Sequence, residues 1–119
     1  SPDTVAAGIA RSAPPGSQIL IADVPASADF LANSMIVAAQ SSGMIASGSV
    51  HNILQALTAD NAHIGISGRS SSVNLATLKR ALNDYNGHSN AHVYIHAAPA
   101  DIAALQQLAA PKGITIHAL

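Results

Sequence analysis

Four of the six histidines lie in short stretches of alternating apolar and polar residues. His63 opens HIGIS (63–67), His92 and His96 bracket the apolar pair of AHVYIH (91–96), and His117 follows ITI in ITIHAL (114–119). Imidazole nitrogens bind zinc and similar ions, as sets of three or four ligands held by supporting carboxylates. His92 and His96 are roughly 13 Å apart along an extended strand, too far to share one ion. A metal site built from His63, His92, His96 and His117 therefore needs each to meet a histidine of a neighbouring strand. No carboxylate lies on these stretches. The same four residues also read as the polar side of half-buried strands, or as a contact surface.

A second chemistry belongs to anions. Ser67, Gly68, Arg69, Ser70, Ser71 and Ser72 join a strand-like stretch to a helix-like one. Free N–H groups at a helix start, serine hydroxyls and a guanidinium suit a phosphate or carboxylate. The loop lacks the Gly-Lys-Ser/Thr of a nucleotide-binding P-loop and is not a G-x-G-x-x-G turn. Small polar residues are also the ordinary way to leave a strand and cap a helix. Ser47, Gly48 and Ser49 form a shorter version of this pattern.

Asp23, at the end of QILIADV (18–24), adds a carboxylate where open parallel sheets carry their ligands. With His96 and a serine at 67 or 70 it would supply a hydrolase-like trio. There are 14 serines, no G-x-S-x-G elbow and no glutamate at all, so the chain offers little general acid–base chemistry. No catalytic residue and no cofactor is assigned. Asp23 and the loop 67–72 remain the place for a small ligand or anion.

The residues that must be positioned by the fold alternate regularly. Strands are expected at 18–24, 63–67, 91–96 and 114–119, with a brief one at 44–46. Helices are expected from a Ser27 cap, with Asp29 in the first turn, to about Gln40, then 50–59, 73–85 behind Ser72, and from Pro99 to Pro111. Residues 1–17, with Ser-Ala-Pro-Pro-Gly-Ser at 12–17, read as a lead-in or linker containing one short turn capped by Thr4. Residues 18–119 then form a single α/β domain with a mainly parallel sheet. A doubly wound sheet buries both faces and has apolar strands throughout. The later strands here alternate, so the fold expected is two-layered with one polar sheet face, ahead of a three-layer flavodoxin-like sandwich.

Phe30–Ala39 (FLANSMIVAA) is apolar around most of a helix circumference. Phe30, Leu31, Met35 and Ile36 are its candidate contact residues, for the domain's own core or for a partner.

Composition narrows the function. The chain has 119 residues, five basic and six acidic, a net charge of −1 and no cysteine. Only 9% of residues are charged, against about 25% in an average domain. That balance, with one Phe, two Tyr and no Trp, gives neither the field nor the stacking platform for nucleic acid. No apolar run reaches the roughly 20 residues of a membrane span. Of the hydrophobic residues 25 are alanine, leaving material for one modest core.

The reading is a soluble, non-enzymatic interaction or assembly domain, with a protein partner or a second copy as its counterpart. A charge-poor, Ala/Ser/Asn-rich, cysteine-free chain suggests a bacterial complex at the envelope or outside the cell. A face of His, Tyr, Thr and Ser is neutral at pH 7 and cationic once its histidines titrate, so association is expected to depend on pH.

Overall fold

The fold is described from a computed structural model covering residues 1–27, 30–42 and 48–119, without the side chains of 30, 31, 41 and 42. The expected strand at 44–46, Asp29, and the side chains of the contact candidates Phe30 and Leu31 lie outside the described residues.

Four strands form one sheet: β1 (Gln18–Asp23), β2 (Ala62–Ser67), β3 (His92–Ile95) and β4 (Thr115–Ala118). All neighbours are parallel, and the order is β1-β2-β3-β4. Between them run α2 (Phe30–Ser42), α3 (Gly48–Leu57), α4 (Ser71–Asp84) and α5 (Pro99–Ala109), with α1 (Pro2–Ser12) ahead of the sheet. The α/β class and the parallel sheet match the alternation in the sequence.

The strand order explains the polar face. Each new strand joins the same growing edge, and parallel crossovers are right-handed, so every crossover helix falls on the same side. The core is therefore one-sided. Ala22, Ile64, Ile66, Val93, Ile95 and Ile116 supply its sheet half. Val50, Ile53 and Leu57 of α3, Val73, Leu78 and Leu82 of α4, and Leu105 of α5 supply the helical half. Successive strand residues point to opposite faces. Ile21, His63, Gly65, His92, Tyr94 and His117 consequently share the other side.

That side is covered in part by α1, which packs against β1 and β2. Residues 2–12, read from sequence as part of a lead-in, form an 11-residue helix capped by Ser1 instead of a turn capped by Thr4. Ile9 is completely buried. The fit depends on Gly65: a Cβ there would lie 2.5 Å from Val5 Cγ1, 2.7 Å from Ile9 Cδ1 and 2.9 Å from Ile21 Cδ1.

The β2–α4 turn is equally tight. Val24 N–H donates to Ser67 C=O, and a Cβ at Gly68 would lie 2.6 Å from Val24 C=O and 2.3 Å from Asn74 Oδ1. The cap of α4 is Ser70, whose Oγ accepts from Val73 N–H, and not Ser72. Three consecutive serines are locally equivalent, and the turn at Gly68 selects among them. Apolar α2 packs on α4, with Ile36 against the core and Met35 74% exposed.

Candidate functional site

Register brings three of the four strand histidines together. His63 pairs with His92, His92 with Thr115, and Tyr94 with His117. Directly paired side chains are close enough to stack, and diagonal ones to touch through their tips. Both occur here. The His63 and His92 rings stack with centroids 4.7 Å apart and planes within 3°, and Tyr94 stacks on His117 at 4.5 Å. Along the diagonals, the Tyr94 hydroxyl and His63 Nδ1 share a hydrogen bond of 2.8 Å, and so do His92 Nδ1 and His117 Nε2.

The four rings floor a cleft of about 540 Å³. Its walls are the α1–β1 connection, from Ser12 through Pro14, Pro15 and Gly16 to Gln18, and the turn Asp60–Asn61. That turn is held by Asn90, whose Nδ2 donates to Asp60 Oδ1 at 2.8 Å and whose Oδ1 accepts from Asn61 N–H at 2.7 Å. Asn61 takes the left-handed conformation, φ 52°, which asparagine tolerates.

Chemically, the cluster resists charge. Burial holds the His63 pKa below its ordinary 6.5, and the neighbouring His92 charge lowers it further. His117 is lowered for the same first reason, then by His92 and His63. Burial raises the Tyr94 pKa, opposed by a hydrogen bond from Ser12, so the phenol is not prepared to act as a base. The shared hydrogen bond between His92 and His117 sets a limit. One nitrogen must donate and the other accept, so two fully protonated rings are incompatible with the bond.

A stability prediction follows. Both lowered histidines bind protons less tightly in the folded chain than in the unfolded one, so stability rises as pH climbs towards 6.5. It is complete above 6.5 and is lost as pH falls through the folded values. Thermal melts are expected to drop by several degrees between about pH 7.5 and about pH 5, and less so in the double variant His63→Gln/His117→Gln. A variant as acid-sensitive as the parent would assign the effect to other groups.

His96 is not in the cluster. It lies past the end of β3, exposed, its Nδ1 3.3 Å from Leu119 C=O. Among the described residues no group of three or more histidine and carboxylate side chains is arranged to hold a metal ion.

The anion and trio candidates are dispersed. Ser71, Ser72 and His96 line one cleft of about 490 Å³, with Asp101. Asp23 lines another, of about 480 Å³, with Ser49, Gln40 and Thr77, where Gln40 Nε2 donates to Thr77 Oγ1 at 3.1 Å. Ser67 is 3% exposed, Arg69 is exposed, and Ser70 is spent on the cap. Moreover, a sheet ordered β1-β2-β3-β4 never reverses direction, and ligand crevices of open α/β sheets form where the order reverses.

Sequence reasoning put Tyr94 on the polar face without making it a site residue, and passed over the Asp60–Asn61–Asn90 wall. Tyr94 has the parity of His92 and was discoverable on that ground. The wall joins residues about thirty positions apart, and no local pattern announces it.

Among the described residues no helix is long and apolar enough to cross a membrane. No family model matches the chain, and comparison with curated proteins and with solved structures found no significant match.

Proposed function

We propose that the chain is a non-enzymatic assembly domain that packs against a second copy of itself through the uncharged side chains at β4, in keeping with the bacterial assembly suggested by its composition. The observation that carries this reading is the uncharged edge of the sheet. Monomeric proteins guard their sheet edges with charged residues, proline or bulges; here the side-chain amide of Gln106 holds the outward Ile116 N–H and Ile114 C=O, and the side chains of the edge strand carry no charge. β4 is an edge and reads TIHA, with no charged residue and no proline; β3 beside it reads HVYI. α1 packs on β1 and β2, leaving the polar side of β4 to Thr115 and His117.

Lack of charge favours a second copy over a different partner. A two-fold contact places each residue near the axis opposite itself or a close neighbour, so any charge there meets its own sign. A neutral strip meets itself without that repulsion.

The test is sedimentation at about pH 8. The parent is expected to dimerise, and Thr115→Lys, which sets a cation on the exposed edge, to be monomeric. A parent that stays monomeric at high concentration, or a Thr115→Lys dimer as tight as the parent's, defeats the proposal.

A further inference from the structure

We infer that the cleft over His63, His92, Tyr94 and His117 binds a neutral, hydroxyl-rich ligand the size of one sugar ring. Every residue lining the cleft belongs to one chain, so the inference stands apart from the contact through β4.

The ring stack decides what the floor offers. His63 lies on His92 at 4.7 Å, His92 on His117 at 5.0 Å and His117 on Tyr94 at 4.5 Å, so the ring faces cover one another. A flat aromatic ligand finds no platform, and a ligand meets ring edges instead. His63 Nδ1 is bonded to the Tyr94 hydroxyl, and His92 Nδ1 to His117 Nε2. Among the described residues nothing engages His63 Nε2, His92 Nε2 or His117 Nδ1, and none of the three is sealed from solvent. His63 is only 6% exposed and still lines the cleft with an unengaged nitrogen. Polar atoms of side chains buried this far ordinarily have partners.

The His92–His117 bond fixes the polarity of two of these nitrogens. A neutral imidazole has one N–H and one bare nitrogen. If His92 Nδ1 donates, His92 Nε2 is bare and His117 Nδ1 carries hydrogen; if His117 Nε2 donates, the roles are exchanged. Both arrangements present one donor and one acceptor. A hydroxyl is donor and acceptor at a single atom, so neighbouring hydroxyls on a sugar ring satisfy either one.

The walls suit the same ligand. Asp60 accepts from Asn90 Nδ2 and Asn61 Nδ2, which uses two of the about four acceptor positions of a carboxylate and leaves the others for O–H donors. Pro14 and Pro15 add apolar C–H surface for the carbon face of the ring. The volume of about 540 Å³ falls within the range of about 300–1,000 Å³ usual for small-molecule sites.

Other ligand classes fit less well. No lysine or arginine lines the cleft and Asp60 does, which repels an anion. A cation uses acceptors only, and one nitrogen of the neutral His92–His117 pair always donates. Among the described residues a metal ion has no set of three ligands.

The test is protein-observed NMR at about pH 8, where an imidazole of ordinary pKa is neutral. D-glucose, D-mannose and D-galactose are titrated while the histidine ring nitrogens are followed. At least one sugar is expected to shift His63, His92 and His117 saturably and to leave His96, outside the cleft, unmoved. Methyl α-glycosides of the same sugars separate two sources: retained binding marks the end of a glycan chain, lost binding the free sugar. His117→Phe keeps a ring in the stack, removes its nitrogens and should weaken binding about tenfold, the loss of one or two hydrogen bonds. The inference is overturned if no sugar gives a saturable shift, or if His96 moves with the others. It is equally overturned if His117→Phe binds as the parent does, or if inorganic phosphate or choline binds more tightly than every sugar. The parent titration decides the matter by itself should the variant fail to fold.

Discussion

Gly65→Val is expected to lift α1 from the sheet. The new Cβ falls 2.5 to 2.9 Å from three side-chain ends, Val5 Cγ1, Ile9 Cδ1 and Ile21 Cδ1, and valine adds two methyls beyond it. Any one of these ends could turn aside; three converging on a single point cannot do so without leaving their packed positions. Overpacking of this kind costs about 1–3 kcal/mol. If α1 detaches instead, the buried Ile9 returns to water at about 1.5–3 kcal/mol. The cheaper response sets the loss, about 2 kcal/mol by either route. Urea denaturation gives the magnitude, and amide exchange shows the route. Protection should fall in residues 2–12 while β2 and β3 keep theirs. Undiminished protection of α1 would mean that the sheet, not the helix, yields at this point.

The second large effect is expected at Tyr94, where two substitutions separate packing from hydrogen bonding. Tyr94 is 4% exposed, stacks on His117 and shares a hydrogen bond with His63 Nδ1. Tyr94→Ala removes the ring from the centre of the cluster and is expected to cost about 3–5 kcal/mol, as for other large buried aromatics. Tyr94→Phe retains the stack and removes one hydrogen bond, for about 1 kcal/mol. Against a typical total of about 5–15 kcal/mol, the alanine variant should be visibly marginal at ambient temperature. Equal losses in the two variants would show that the hydroxyl, and not the stacked ring, supports this face.

Much of the frame was legible because it is written in short-range patterns. Ile64 and Ile66 against His63, and Val93 and Ile95 against His92 and Tyr94, announce strands with one apolar side. Pro99 announces the start of α5. What the sequence concealed depends on partners distant along the chain. Residues 2–12 read as a lead-in because their seat is a missing side chain at Gly65, which no pattern within 2–12 encodes. The ring cluster required the register: parity puts His63, His92 and His117 on one face, but only the pairing of His63 with His92 and of Tyr94 with His117 decides which rings stack and which share a proton. His96 has the right parity and stands apart because β3 ends at Ile95. Asp23, Ser67 and His96 looked like a set because all three lie towards strand ends. Burial of Ser67 and the placing of Asp23 and His96 in separate clefts dissolved it.

The one-way strand order also bears on how the chain reaches this state. Every strand pairs with its immediate predecessor in the chain, although each pairing spans a helical crossover, as from Gln18 to Ala62 or from His63 to His92. Parallel pairings of this kind close loops before any contact rewards them, which slows each step. During synthesis each unit has its template already emerged, and the sheet is able to lengthen in the order in which it is made. The first helix is the exception. Translated before any strand, α1 has no seat until β2 delivers Gly65, and its docking records the completion of the β1–β2 pair.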